Sequence, residues 1–188
     1  TAFDIETGSS STSQSLTAGN LNTAASSHSI GLGNEGSFKG VWFRRDGLKF
    51  YIIGTSRDRV TGFNLSAAWD LTSTVTVNSV YRVSSVTRPD GSSGNETMHQ
   101  IFFKPDGSRF YMVGATRDAI YQFSIPSGQE WNVDNATQDG SGIAFNDLLV
   151  GNYLEDTNLS QNPSSMYIEP EGNRLFVYGS SKDGFYEN

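Results

Sequence analysis

The hydrophobic positions of this chain fall in short blocks separated by polar turns, and one succession of blocks is written three times. The first copy is GVWFRRDGLKFYIIGTSRDRVTGFNLSAAWDLT, residues 40–72. The second is HQIFFKPDGSRFYMVGATRDAIYQFSIPSGQEWNVD, residues 99–134, and the third is SMYIEPEGNRLFVYGSSKDGFYEN, residues 165–188. Gly47, Gly107 and Gly172 correspond, 60 and 65 residues apart. Self-similarity on this scale sets the architecture before any single element is assigned.

Within each copy the blocks decode into strands. Residues 41–43, 101–103 and 166–168 are short apolar runs suited to strands covered on both faces. Each leads into Asp46-Gly47, Asp106-Gly107 or Glu171-Gly172, a hairpin chemistry in which glycine accepts positive φ. Second strands follow at 49–54, 109–114 and 174–179. Polar turns at Asp58, Asp118 and Asp183 come next, then third strands at 60–65, at 120–125 and from Phe185. A tryptophan motif stands after the third strand, Ala68-Trp69-Asp70-Leu71 and Glu130-Trp131-Asn132-Val133, and Ala2-Phe3-Asp4-Ile5 reads as the same motif from an earlier unit. Fourth strands are expected near 75–83 and 143–150. No long segment places apolar residues at i, i+3, i+4 and i+7, so the chain is all-β. Four antiparallel strands per unit make one blade of a β-propeller.

The expected organisation is a propeller segment in four parts: the end of one blade at 1–37, a blade at 38–97, a blade at 98–163 and the start of a blade at 164–188. Three units fall short of the roughly four to eight blades that close a ring. The expectation is a window on a longer polypeptide, or a homo-oligomer whose copies complete the ring.

The repeated pattern, F-x-x-D-G-x-x-x-Y-x-[VI]-G followed by D-x-[VI]-x-x-[YF]-x-L and [AE]-W-D, resembles the propeller repeats of phage tail-fibre and virion proteins and of some large secreted bacterial proteins. Phe43, Asp46, Gly47, Tyr51, Ile53, Gly54, Asp58, Val60, Phe63, Leu65, Ala68, Trp69 and Asp70 carry it in the first copy. The second copy departs at Asn132, and the third at Glu171 and Phe176. More distantly the chain is similar to lactonase-type propellers. The resemblance implies a virion or extracellular location and an attachment role, which is a fold-level analogy.

Charge narrows the partners. A net charge of -7 and a pI near 4.7 oppose a surface that tracks phosphates, so no nucleic acid is expected. No apolar run approaches the roughly 20 residues of a membrane-spanning helix, so no membrane insertion is expected. The absence of cysteine removes disulfides and thiolate chemistry. The histidines are His28 and His99, and neither G-x-S-x-G nor H-E-x-x-H occurs. No catalytic residue, cofactor or metal site is expected, and the loops around Asp90, Asp134 and Asp139 do not fit a calcium-loop spacing.

The recurring residues are read as structural. Asp46, Gly47, Asp106, Gly107 and Gly172 build hairpins; Asp58, Asp118 and Asp183 cap their own turns; Trp69 and Trp131 anchor neighbouring blades rather than stack on sugars. Recognition is expected in the long, unrelated connectors between blades, which emerge on the same face as the turns between second and third strands. The candidate contacts are Arg88, Asp90, Asn95 and Glu96, with Tyr153, Glu155 and Asp156. The leading expectation is a non-catalytic module that binds a cell-surface glycan or protein, or a neighbouring virion subunit. The alternatives are a purely structural assembly protein of a viral particle and a metal-dependent lactonase-like hydrolase.

Overall fold

The computed structural model describes residues 37–71, 73–83, 85–148, 162–169, 172, 174–179 and 185–187. Blade 1 contains β1 (Phe38–Phe43), β2 (Lys49–Gly54), β3 (Arg59–Leu65) and β4 (Val75–Arg82), antiparallel in that order. The connector after it forms a small hairpin, β5 (Val86–Thr87) with β6 (Ser93–Gly94). Blade 2 has β7 (Met98–Phe103), β8 (Arg109–Gly114) and β9 (Ala119–Ser124), edged by two short pieces, β10 (Thr137–Gln138) and β11 (Ile143–Ala144). One helical turn, α1 (Phe145–Leu148), follows. Blade 3 shows β12 (Pro163–Ile168), β13 (Leu175–Gly179) and β14 (Phe185–Glu187).

The copies agree in register as well as in sequence. Phe43 pairs with Phe50, Phe103 with Phe110 and Ile168 with Leu175. Each first strand also carries a register shift at its second residue, between Phe38 and Gly40, Met98 and Gln100, and Pro163 and Ser165. Tyr167 pairs with Phe176, so it stands where Trp42 and Phe102 stand, and Ile168 is the counterpart of Phe43 and Phe103.

The fourth strand expected at 143–150 is broken. Among the described residues of that span, Ile143 and Ala144 alone pair with β9, and a second short piece pairs earlier, at Thr137 and Gln138. Between them runs Asp139-Gly140-Ser141-Gly142, with Gly140 at φ 70, a conformation that interrupts a ladder. The chain then coils into α1, which buries Phe145 against blade 3.

Alternation of side chains gives each sheet two apolar faces, and the blades stack through them. Tyr51, Ile53 and Val60 of blade 1 meet Ile101, Phe103, Phe110, Met112 and Phe123 of blade 2. On its other face blade 2 sets Val113, Ile120 and Phe145 against Met166 and Val177 of blade 3. Each fully buried Phe contributes about 2–3 kcal/mol. The inner strands approach closely: a Cβ at Gly40 would lie 2.7 Å from the His99 carbonyl oxygen, so only glycine lets β1 meet β7.

Candidate functional site

The hairpin aspartates behave as local caps. Asp46 accepts from Leu48 N at 3.0 Å and Arg44 Nε at 2.8 Å; the Arg44 bond is the main reason its carboxyl is held low. Asp106 accepts from Lys104 Nζ at 2.7 Å, Ser108 Oγ at 2.6 Å and Ser108 N at 2.9 Å, which hold it well below the usual carboxylate range. Trp69 and Trp131 share one seat. Both adopt positive φ, 62 and 69, and both donate N–H to the hairpin glycine, to Gly47 O at 2.9 Å and Gly107 O at 3.1 Å. The indole lies on that glycine: a Cβ at Gly107 would fall 2.3 Å from the Trp131 ring.

The cover over the two rings differs. Trp131 stacks between Trp42 of blade 1, at 5.6 Å, and Phe103 of blade 2, at 5.7 Å, with the Arg44 guanidinium 5.6 Å from its centroid. It therefore joins two blades. Trp69 stacks on Phe43 at 5.4 Å and is 60% exposed.

Asp118 reaches beyond its turn. Its residue has φ 48, like Asp58 at 46, and its backbone carbonyl accepts from Phe145 N as that of Asp58 accepts from Val83 N. Its carboxylate accepts from Asn162 N at 2.8 Å, 44 residues away, and so ties blade 2 to the entry of blade 3 rather than capping its own turn. Asp183 lies outside the described residues, as do Tyr153, Glu155 and Asp156.

The remaining candidates gather in the connector between blades 1 and 2. Asp90 sits at the hairpin tip, where its carboxylate accepts from Ser92 Oγ at 2.6 Å and Ser92 N at 2.9 Å. These bonds hold its carboxyl low, with smaller help from the charges of Arg117 and Arg88. The Arg88 guanidinium donates to Asn95 O at 2.6 Å and lies against Gly94, leaving the Asn95 side chain exposed. Glu96 departs from the expectation of a surface contact. It is 2% exposed, and its carboxylate accepts from Thr116 N at 2.5 Å, Arg117 N at 3.3 Å and the Tyr121 hydroxyl at 2.9 Å. A buried carboxylate is tolerated because three donors replace water. Burial first, then the Glu96 charge and hydrogen bond, push the Tyr121 phenol far up.

Sequence reasoning missed Tyr121 and Gln138. Gln138 closes a second clamp on the connector, accepting from Thr87 N at 2.8 Å and donating to Thr87 O at 2.7 Å. A signal for the first existed: Tyr121 stands where the first copy has Thr61, and Glu96 where it has Gly36, a paired departure between copies.

Chemically this face offers hydrogen-bond donors, acceptors and charge of both signs on a fixed backbone. The Nδ1 atom of His99 lies 3.1 Å from Pro163 O, engaged with blade 3. His28 lies outside the described residues. Among the described residues no three of His, Asp and Glu converge as metal ligands, and no helix is long and apolar enough to cross a membrane.

A cleft of about 290 Å³ opens between blades 2 and 3, lined by Tyr111, Ile120, Gln122, Ile143, Gly172 and Leu175 among others.

Stacked antiparallel sheets with a shared register, one repeat per sheet, define the chain as a β-propeller protein. Among solved structures, 80% of the chain is similar to 34% of a proposed 6-phosphogluconolactonase of Bacteroides fragilis, with a TM-score of 0.50 and 16% identity. A proposed 6-phosphogluconolactonase of Bacteroides uniformis matches 80% of the chain over 36% of its own, with a TM-score of 0.47 and 15% identity. The β-propeller domain of Cps50 (Swd1) from Myceliophteria thermophila matches 80% over 38%, at 0.44 and 9%. The chain thus spans about a third of the length of these structures, and the likeness to the Bacteroides fragilis structure, at 16% identity, shows the fold alone. No family model and no curated protein matches the sequence.

Proposed function

We propose that the chain is a non-catalytic propeller module of a virion or secreted surface protein, and that its connector-bearing face binds a cell-surface glycan or protein. The observation that supports this most is the anchoring of the connector. Glu96 and Gln138 clamp its two ends to blade 2, so Asp90, Ser92, Asn95 and the neighbouring Arg117 are presented on a preformed backbone. A contact loop ordered before binding does not pay for ordering on association, and loops held by a rigid scaffold are where recognition concentrates.

The test is binding of the purified chain to a glycan array and to cell-surface extracts. The triple variant Asp90→Ala, Asn95→Ala, Arg117→Ala should weaken any ligand at least about tenfold. Lys104→Ala, at the opposite end of the strands, should leave binding unchanged. Equal loss in both variants, or turnover of a sugar lactone by the wild-type chain, would contradict this reading.

A further inference from the structure

We infer that the ligand of the connector-bearing face is an acidic glycan, a polysaccharide whose sugars carry carboxylates. Arginines at the corners of two neighbouring blades grip it, Arg57 and Arg82 on blade 1 and Arg117 on blade 2. This rests on the reading of that face as a binding surface and names its substrate class.

The exposed charges of blades 1 and 2 are sorted by end. At the end that carries the connector and the turns between second and third strands, Lys39, Arg57, Arg82 and Arg117 outnumber Asp90 and Asp147. At the hairpin end the acids Asp46, Asp70, Asp106 and Glu130 outnumber Arg45, Lys104 and Arg109. The cations of the two ends also differ in what they hold. At the hairpin end Arg44 lies 2.6 Å from the Asp46 carboxylate and Lys104 lies 2.7 Å from that of Asp106. Among the described residues, Arg57, Arg82 and Arg117 form no ion pair.

The repeat does not require all of these arginines. Arg59 and Arg82 are direct partners in the β3–β4 ladder, whereas the same two positions of blade 2 hold Ala119 and Ala144. Like charges directly opposite one another weaken a sheet. Packing gives no reason for the pair, and a carboxylate bound beside it would remove the repulsion.

The backbone under these side chains is fixed before any ligand arrives. Val83 N donates to Asp58 O at 2.6 Å, which ties the turn bearing Arg57 to the end of β4 beside Arg82. Arg117 N donates to the buried Glu96 carboxylate at 3.3 Å. Neighbouring acids are committed elsewhere: Asp118 accepts from Asn162 N, and Asp90 accepts from Ser92. The Asp90 carboxyl, held low first by its Ser92 bonds, also feels the charges of Arg117 and Arg88.

A guanidinium matches a carboxylate with two parallel hydrogen bonds, which favours this acid over a diffuse counter-ion. Alongside the arginines the connector exposes Ser92, Ser93 and Asn95, and residues 85–97 hold no exposed large hydrophobic side chain. Protein partners are usually anchored by aromatic side chains seated in pockets. A ligand made of hydroxyls and carboxylates suits this surface better. The net charge of -7 works against unselective binding of polyanions, so an acidic chain is held where the arginines are.

Fluorescence polarisation of the full chain with labelled polygalacturonate, polysialate and alginate oligomers should detect binding to at least one of them. That binding should weaken at least about tenfold between roughly 0.05 and 0.5 M sodium chloride. Arg82→Ala and Arg117→Ala should each weaken it about fivefold or more. Arg82→Ala should leave the melting transition unchanged or raised, because it removes an opposed charge. Lys104→Ala, at the hairpin end, should bind as the wild type does, and oligomers whose carboxyls are reduced to alcohols should not bind. If a neutral glycan is held instead, and is lost in the Asp90→Ala, Asn95→Ala, Arg117→Ala variant, the acidic ligand is overturned and the connector-face reading stands. Acidic-glycan binding indifferent to both arginine variants, or tighter binding of single-stranded DNA of equal charge, would also overturn the inference. Failure to bind any glycan or cell-surface extract would remove both.

Discussion

Replacing Glu96 by alanine isolates the clamp that holds the connector. The carboxylate is buried and accepts from two backbone N–H groups and one phenol. A buried donor stripped of its acceptor costs about 1–3 kcal/mol. Thr116 and Arg117 lie at the edge of the protein, where water replaces part of what they lose, whereas the Tyr121 hydroxyl is enclosed. The sum expected for Glu96→Ala is about 3 kcal/mol, which in a chain of this size lowers the melting temperature by roughly 6–12 °C. Glu96→Gln keeps an acceptor for the backbone pair and offers its amide to the phenol oxygen, so it should cost only about 1 kcal/mol. Thermal melts give the first number, and amide exchange at Thr116 and Arg117 locates it. With Tyr121→Phe added to Glu96→Gln, the cycle should return a coupling of roughly 0.5–2 kcal/mol. A Glu96→Ala melt within about 2 °C of the wild type, with Thr116 as protected as before, would refute the clamp.

Burial raises the Tyr51 and Tyr121 phenols, so the folded chain keeps protons that the unfolded chain releases above about pH 10. The stability they contribute is complete below that pH and falls as pH climbs through it; urea midpoints between about pH 8 and 11 should flatten when both are changed to Phe. Trp131→Ala removes the ring shared by two blades and should cost about 3 kcal/mol in urea denaturation. Gly107→Ala should destabilise in the same direction, because its Cβ enters that ring and its φ is 73. Asp118→Ala loses the bond to Asn162 N, about 1 kcal/mol, and should appear as faster amide exchange at Asn162 with blade 1 unaffected.

What the sequence determined by itself is the unit and its local chemistry. Alternation, the hairpin glycines and the tryptophan motif depend on neighbours within about thirty residues, so three copies of one pattern announced three sheets of one design, and even their register agrees. Tertiary structure alone decided what lies across each sheet. Trp69 and Trp131 have the same local seat, yet one ring is exposed and the other is stacked between blades, because the difference comes from the adjoining sheet. Glu96 reads as a polar loop residue until Tyr121 and the Thr116 turn surround it, and Asp118 reads as a turn cap until Asn162 arrives from 44 residues away. The broken outer edge of blade 2 has the same origin. Phe145 turns into the gap toward blade 3 and is buried there against Met166 and Val177 instead of extending the ladder along β9, and that gap exists only once the blades are stacked.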